Sequence, residues 1–402
     1  MTFKIGYDNT EAQEMMTLSA IAYAGESTNN YPQIQDAIAG QIQASPTLGG
    51  NFRLVWLGIS PDWANLVYIA QDTRHTARFA VVVRGTDWDF LTDWVDDFDV
   101  LGTTGWPTAS PPNGGIQVAQ GSWDGLQALL ATTSNVFGMT PPAGVLPTTL
   151  IDLFGGIALS STYDTDVDIF VTGHSLGGAM ATVLGLWLAD TVSTWKLRPH
   201  KVNLKSYTFA APTVGNQAFA NYYNGQTANT QVQWQAFRIF NEQDAIPHGY
   251  ADLAGIAHDG VPLEWAFRDF ELIPTLDVIR STLWVAGVRY VDVGVQANGT
   301  ARGLNNVPPS TQYPPSEDGA SGHADSFETF GHWVAYEHDH NLYLTLLGAP
   351  VVPVEQAAVN VASIASLPMH TRGAAAELVR TLAARRHTMA VPPIASTYPE
   401  PA

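Results

Sequence analysis

A chain of 402 residues with 46% hydrophobic residues, including 12 Trp and 16 Phe, can bury a large core and is not the composition of a disordered polymer. With 37 acidic against 18 basic residues the formal net charge is −19, which repels phosphate backbones and anionic lipid surfaces, so no nucleic-acid partner is expected. The absence of cysteine removes disulfides, thiol nucleophiles and Cys-based metal sites together.

The opening MTFKIGYDNTEAQEMM has no apolar segment ahead of a small-residue cleavage site, so no ordinary signal peptide is expected there. Residues 10–24 have helix-compatible periodicity. Residues 52–59 and 65–70 read as two strands around Pro61-Asp62. The run Arg78-Phe79-Ala80-Val81-Val82-Val83, bounded by Arg84-Gly85-Thr86, predicts a strand buried on both faces and central in a sheet. Residues 102–115 and 132–147 are rich in Gly, Pro, Thr and Ser and read as loops. The most apolar long window, 136–160, is broken by Pro141, Pro142, Pro147 and Asp152 and does not read as a membrane span.

Further along, residues 167–172, 202–209 and 234–240 read as strands, with a nearly wholly apolar helix at 176–189. Strands alternating with helices predict an α/β layer fold. The expected organisation is one domain over residues 1–350, with an insertion around 250–325. A Pro- and Ala-rich extension over 351–402 follows, holding an amphipathic helix at 373–386. A soluble protein is expected, cytoplasmic or exported by a route without an N-terminal signal.

The chemistry centres on Gly173-His174-Ser175-Leu176-Gly177, a Gly-x-Ser-x-Gly motif between the strand ending near Val171 and the following helix. Taken alone such a motif arises by chance, but strand, turn and helix in that order are what an exposed nucleophilic serine requires. Side chains two residues before and after the serine would collide with backbone in so sharp a turn, and Gly173 and Gly177 answer that need. The helix N-terminus then offers the Leu176 N–H to a developing oxyanion.

At this point the chain resembles the class 3 lipases, within the α/β-hydrolase superfamily. The resemblance is carried by Val82-Val83-Arg84-Gly85-Thr86 with Asp93-Trp94 and Asp97, by a degenerate Val118-Ala119-Gln120-Gly121, and by the serine motif with Gly178. It continues through Thr208-Phe209-Ala210-Ala211-Pro212-Thr213-Val214-Gly215-Asn216, then Arg238-Ile239-Phe240-Asn241-Glu242-Gln243-Asp244-Ala245-Ile246-Pro247-His248. Residues Tyr290-Val291-Asp292-Val293-Gly294 are similar to a late strand of the family. It implies an α/β-hydrolase fold, with a mostly parallel central sheet flanked by helices and a lid. The implied activity is carboxylic ester hydrolysis of acylglycerols or other neutral fatty-acyl esters, without a cofactor. No stable protein partner is expected, and contact with neutral lipid interfaces is at most transient.

A serine hydroxyl needs a histidine to take its proton and an acid to orient that histidine. The order Ser, acid, His is that of α/β-hydrolases. The resemblance identifies Asp244 as the acid, with Glu242 its competitor. His323, His332, His338 and His340 all lie downstream, and chemistry alone does not choose among them. The resemblance favours His340, which precedes Asn341-Leu342-Tyr343-Leu344, over the alternative His338. The same region supplies potential metal ligands in His323, Asp325, His332, His338, Asp339 and His340. However, two histidines two positions apart face away from each other on strand or helix, so no metal site is expected. His174 is expected to pack beside the nucleophile, its side chain leaving on the other side of the turn.

Thr86 is the position matching the second oxyanion donor. Residues 87–98 interleave aromatics with aspartates at spacing that makes one apolar helical face, which fits either a mobile lid or a docked surface helix. Thioesterase, amidase or transacylase chemistry on the same residues, and a catalytically silent binding scaffold, are the competing readings.

Overall fold

The structure, a computed structural model, describes most of residues 4–85, then 102–107, 115–134, 148–159, 165–192, 201–225, 232–251, 283, 287–294, 299–304 and 336–353. Strands β1 (Phe52–Ile59), β2 (Leu66–Asp72) and β3 (Arg78–Val83) are antiparallel neighbours. The first pair is closed where expected, by the Ser60 N–H on the Asn65 carbonyl at 2.8 Å. Short ladders pair β4 (Thr103–Gly105) with β5 (Gln117–Ala119), and β6 (Thr133–Ser134) with β7 (Thr148–Thr149). Strands β8 (Val167–His174), β9 (Val202–Phe209), β10 (Val232–Asn241) and β11 (Gly299–Leu304) then extend the main sheet in parallel, giving the order β1-β2-β3-β8-β9-β10-β11.

The side-chain period of two splits each strand between two cores. Phe79, Val81 and Val83 of β3 enter one cluster and Ala80 and Val82 the other, while Ile169 and Val171 of β8 oppose Phe170. All of these are nearly or fully buried, and each large aliphatic side chain taken from water contributes roughly 1.5–3 kcal/mol. This is why the uninterrupted β-branched run of β3 reads correctly as a central strand.

One face is covered by helices α1 (Asn9–Ile21) and α2 (Tyr31–Ala44) and by the last described helix. The other is covered by α3 (Gln120–Ala131), α4 (Leu150–Leu159), α5 (Leu176–Thr191) and α6 (Gln217–Gly225). Asp8 caps α1 by accepting from the Thr10 and Glu11 N–H groups, and α1 is buried nearly all round. Its Glu11 is held by the wholly buried Lys205 of β9 at 2.6 Å and by the Tyr207 hydroxyl at 2.9 Å. Helix α2 shows the ordinary stripe, with Ile34, Ile38 and Ile42 buried. The last helix, α7 (His340–Leu347), is started by Asp339, which accepts from the Asn341 and Leu342 N–H groups. It is stopped by Gly348 in the left-handed region at φ 76°.

The sequence alone does not reveal α2, α3, α6 or β11. The late strand expected at 290–294 is an isolated bridge between Tyr290 and Asn216, and the sheet is completed by β11 instead. The helix expected at 373–386, residues 354–402, most of the 250–325 insertion, residues 87–98 and Thr86 lie outside the described residues. Among the described residues, no helix is long and apolar enough to cross a membrane.

Candidate active site

Register brings the functional segments to one edge. Val83 pairs with Gly173, His174 with Phe209, and Ile239 with Phe209, so the carboxyl ends of β3, β8, β9 and β10 lie side by side. In parallel α/β sheets that edge is where ligands bind.

Ser175 sits between β8 and α5 at φ 61°, ψ −133°, a conformation that L residues rarely adopt and that costs about 1–3 kcal/mol. The surrounding contacts hold it there. The Ser175 N–H donates to the Phe209 carbonyl at 3.0 Å, and its own carbonyl accepts from Gly178 and Ala179 at 2.9 and 3.2 Å. A Cβ on Gly173 would lie 2.2 Å from the Gly177 carbonyl oxygen, and one on Gly177 would lie 2.3 Å from that of Val83. Neither position therefore admits any other residue without moving backbone. Gly85, just past β3, packs onto the same turn: a Cβ there would meet the His174 carbonyl oxygen at 2.9 Å and the Ser175 Cβ at 3.2 Å. Leu176 opens α5, so its N–H stands at the positive end of the helix dipole.

Asp244 lies in the turn after β10 and is completely buried. Its Oδ1 accepts the Ile246 N–H at 3.0 Å. Its Oδ2 accepts the Tyr343 hydroxyl at 2.8 Å and bonds His338 Nδ1 at 2.6 Å. Burial pushes the Asp244 carboxyl up to about 7, although the Ile246 and Tyr343 hydrogen bonds and the His248 and Arg238 charges pull the other way. Burial drives His338 well below the usual imidazole value, with His340 adding to the effect and Asp339 opposing it. Above neutrality the carboxylate accepts from His338 Nδ1–H, the tautomer that leaves Nε2 as a proton acceptor.

The bond to Asp244 that the sequence assigns to His340 is thus made by His338. The reason is the entry into α7. Asp339 is the N-cap, so His338 lies in the turn between helical residues 336–337 and α7, where it meets Asp244, whereas His340 is the first residue of α7. The His340 ring instead stacks on Tyr23 of the post-α1 turn, with centroids 5.4 Å apart and planes 13° from parallel. Burial holds His340 below its ordinary value, with Asp339 opposing. Among the described residues the competitor acid Glu242 makes no such bond; Asp244 does.

His174 is buried next to the Ser175 turn, and its ring packs among the histidines. Its ring centroid is 4.6 Å from that of His338, 5.4 Å from Tyr343 and 6.3 Å from His340. Burial and the two neighbouring histidines keep it well below its ordinary value. Among the described residues no three metal-ligating side chains come together.

Four participants escape sequence reasoning. The Asn241 N–H donates to the Tyr343 oxygen at 2.8 Å, which passes its own proton toward Asp244, and Asn241 Nδ2 donates to buried Glu337 at 2.6 Å. Tyr23 reaches His174 Nδ1 at 3.3 Å. Asn241 and Tyr343 both fall inside quoted motif segments. No local pattern says that positions about a hundred residues apart will meet.

Residues 80–253 match the model of the class 3 lipase family. The chain is 27% identical over 213 residues to a lipase of Rhizomucor miehei, covering 51% of this chain and 47% of that one. It is 28% identical over 144 residues to a secreted mono- and diacylglycerol lipase of Fusarium solani, covering 34% and 38%. The matches therefore span about half or less of these relatives. The crystal structure of M37 lipase superposes with a TM-score of 0.61 at 19% identity, over 85% of this chain and 93% of that one, so the two share their fold.

Proposed function

We propose, from the premise that residues 80–253 are a class 3 lipase region on an α/β-hydrolase fold, that the chain hydrolyses carboxylic esters, with acylglycerols or other neutral fatty-acyl esters as substrates. The observation that carries this reading is the strained Ser175 turn beside the Asp244–His338 hydrogen bond of 2.6 Å. Ser175 Oγ attacks the ester carbonyl while His338 takes its proton, and the imidazolium formed is held by Asp244. The proton then passes to the leaving alcohol, and water, activated by the same histidine, releases the acyl group from Ser175.

The Leu176 N–H, at the start of α5, receives the developing negative charge. Thr86 is the second donor, a role supported by the packing of its neighbour Gly85 on Ser175. Each such donor contributes about 3 kcal/mol to transition-state stabilisation. The Fusarium relative's name supports glycerides as the substrate class, and the net charge of −19 favours neutral over anionic interfaces.

A second assignment of the base, His340, is favoured by its place one helical turn before the Asp244-bonded Tyr343 and by its stack on Tyr23. The chemistry would be unchanged.

A fluorophosphonate should label Ser175, and Ser175→Ala should abolish both labelling and the hydrolysis of p-nitrophenyl acyl esters. Retained hydrolysis in that variant would overturn the reading. A panel of esters, thioesters and amides separates ester hydrolysis from other acyl transfer.

A further inference from the structure

Behind the acid lies a second charged assembly with no part in the steps above. Arg238 of β10 is only 6% exposed, and its Nη2 donates to the Pro247 carbonyl at 2.7 Å while pairing with Asp292 Oδ1 at 3.1 Å. The guanidinium lies over the Phe240 ring, 4.7 Å from its centroid. Asp292 Oδ1 also accepts the Thr213 hydroxyl at 2.8 Å. The chain around Asp292 is itself anchored, by the Val291 N–H on the Gly215 carbonyl at 2.9 Å and the Gly294 N–H on Asn224 Oδ1 at 2.8 Å.

One buried guanidinium therefore joins three segments: the acid turn, the stretch after β9 and residues 290–294. The Arg238-to-Pro247 bond closes the base of a loop whose interior carries Asp244. A buried arginine is costly unless it is paired and hydrogen-bonded, and here a carbonyl and a carboxylate both meet its Nη2 while the Phe240 ring lies beside the guanidinium.

We propose that Arg238, neutralised by Asp292, is a positioning residue for the proposed reaction, fixing the acid-bearing turn and setting the balance of charge around Asp244. The inference rests on reading Asp244 as the acid of a hydrolytic site. The charged and titratable groups facing Asp244 are His338 and Tyr343 from the C-terminal segment and Arg238 and His248 from β10 and its turn, with Glu337 one step away through Asn241. Within that set the arginine favours the ionised carboxylate and Asp292 offsets the arginine. Removing either member of the pair therefore pushes Asp244 in opposite directions, which a merely structural brace would not do.

The test is the pH profile of kcat on a soluble short-chain ester for the wild type, Arg238→Met, Arg238→Lys and Asp292→Asn, each also labelled with a fluorophosphonate. Arg238→Met should raise the acid-limb midpoint by about half a unit, an extra threefold loss on the acidic side, and Asp292→Asn should lower it by about as much. Arg238→Lys, which keeps the charge without the fork, should hold the midpoint while kcat falls with KM little changed. If Arg238→Met fails to fold, the lysine and Asp292→Asn variants decide. Shifts of the same sign, or no shift, in chains that still label sink this inference alone. A wild type that neither labels nor turns over sinks the hydrolytic reading and this inference with it.

Discussion

The Ser175 turn and the histidine-bearing approach to α7 meet at one sheet edge, yet they are built in opposite ways. The turn is local: Gly173, Ser175 and Gly177 lie within five residues, and what holds Ser175 at positive φ is backbone so close that no Cβ fits at either glycine. The approach to α7 is non-local. His338 is placed by a cap at Asp339, by Asp244 94 positions earlier, and by Tyr343, which is tied to Asn241 102 positions away. A site can thus have one partner dictated by neighbours in sequence and another dictated only by packing.

That contrast can be broken most sharply at the turn. Gly177→Ala should destabilise the fold by roughly 3 kcal/mol or more and abolish activity, because the clash at 2.3 Å is with backbone and cannot be relieved by a rotamer change. Thermal unfolding and ester hydrolysis measure the two losses, and a variant of wild-type stability would show that the turn is not held by sterics.

The histidines come next. His338→Gln should lower kcat by about 10^4-fold while His340→Gln costs about tenfold or less, because only His338 is bonded to Asp244. The reverse ranking would hand the base to His340 and make the short contact to His338 a structural one.

The acid gives a test of sign. Since the folded Asp244 holds its proton up to about 7 while an unfolded aspartate releases it near the ordinary 3.8, the folded state binds the extra proton between those values. Stability from this group therefore falls as pH rises through that window. Asp244→Asn should be more stable relative to the wild type at pH 8 than at pH 5, by several degrees in Tm. In the wild type, ester hydrolysis should rise with pH through about 7, as the carboxylate forms. A flat profile there would show that the Asp244–His338 pair is not the working one.

The smallest effect belongs to Tyr343→Phe, which leaves Asp244 buried with one hydrogen bond fewer and the Asn241 N–H without its acceptor. A loss of about tenfold in kcat at unchanged KM is expected. A change in KM alone would place the tyrosine with substrate binding instead.

Much of this molecule is legible from residues alone wherever the cause is short-ranged. The β-branched run of β3, the strand limits of β9, the apolar helix α5 and the glycines about Ser175 all follow from period, propensity and steric exclusion, and each is found in place. Helix α1 is legible as a helix although it is buried nearly all round. Helix α3 is not, because its glycines and mixed surface mimic the loops on either side, and β11 is hidden by Gly299 and Gly303, which carry no apolar signal of their own.

The sequence by itself determined the turn that carries Ser175 and the layered α/β character, because hard-sphere contacts and hydrophobic alternation act between near neighbours. Only the tertiary structure decided which histidine meets Asp244, and it joined Asn241 to that carboxylate through Tyr343 and tied Arg238 to the same turn at Pro247. Those choices depend on where α7 and residues 290–294 dock against the sheet, and two histidines two positions apart carry no local energetic difference that could tell them apart.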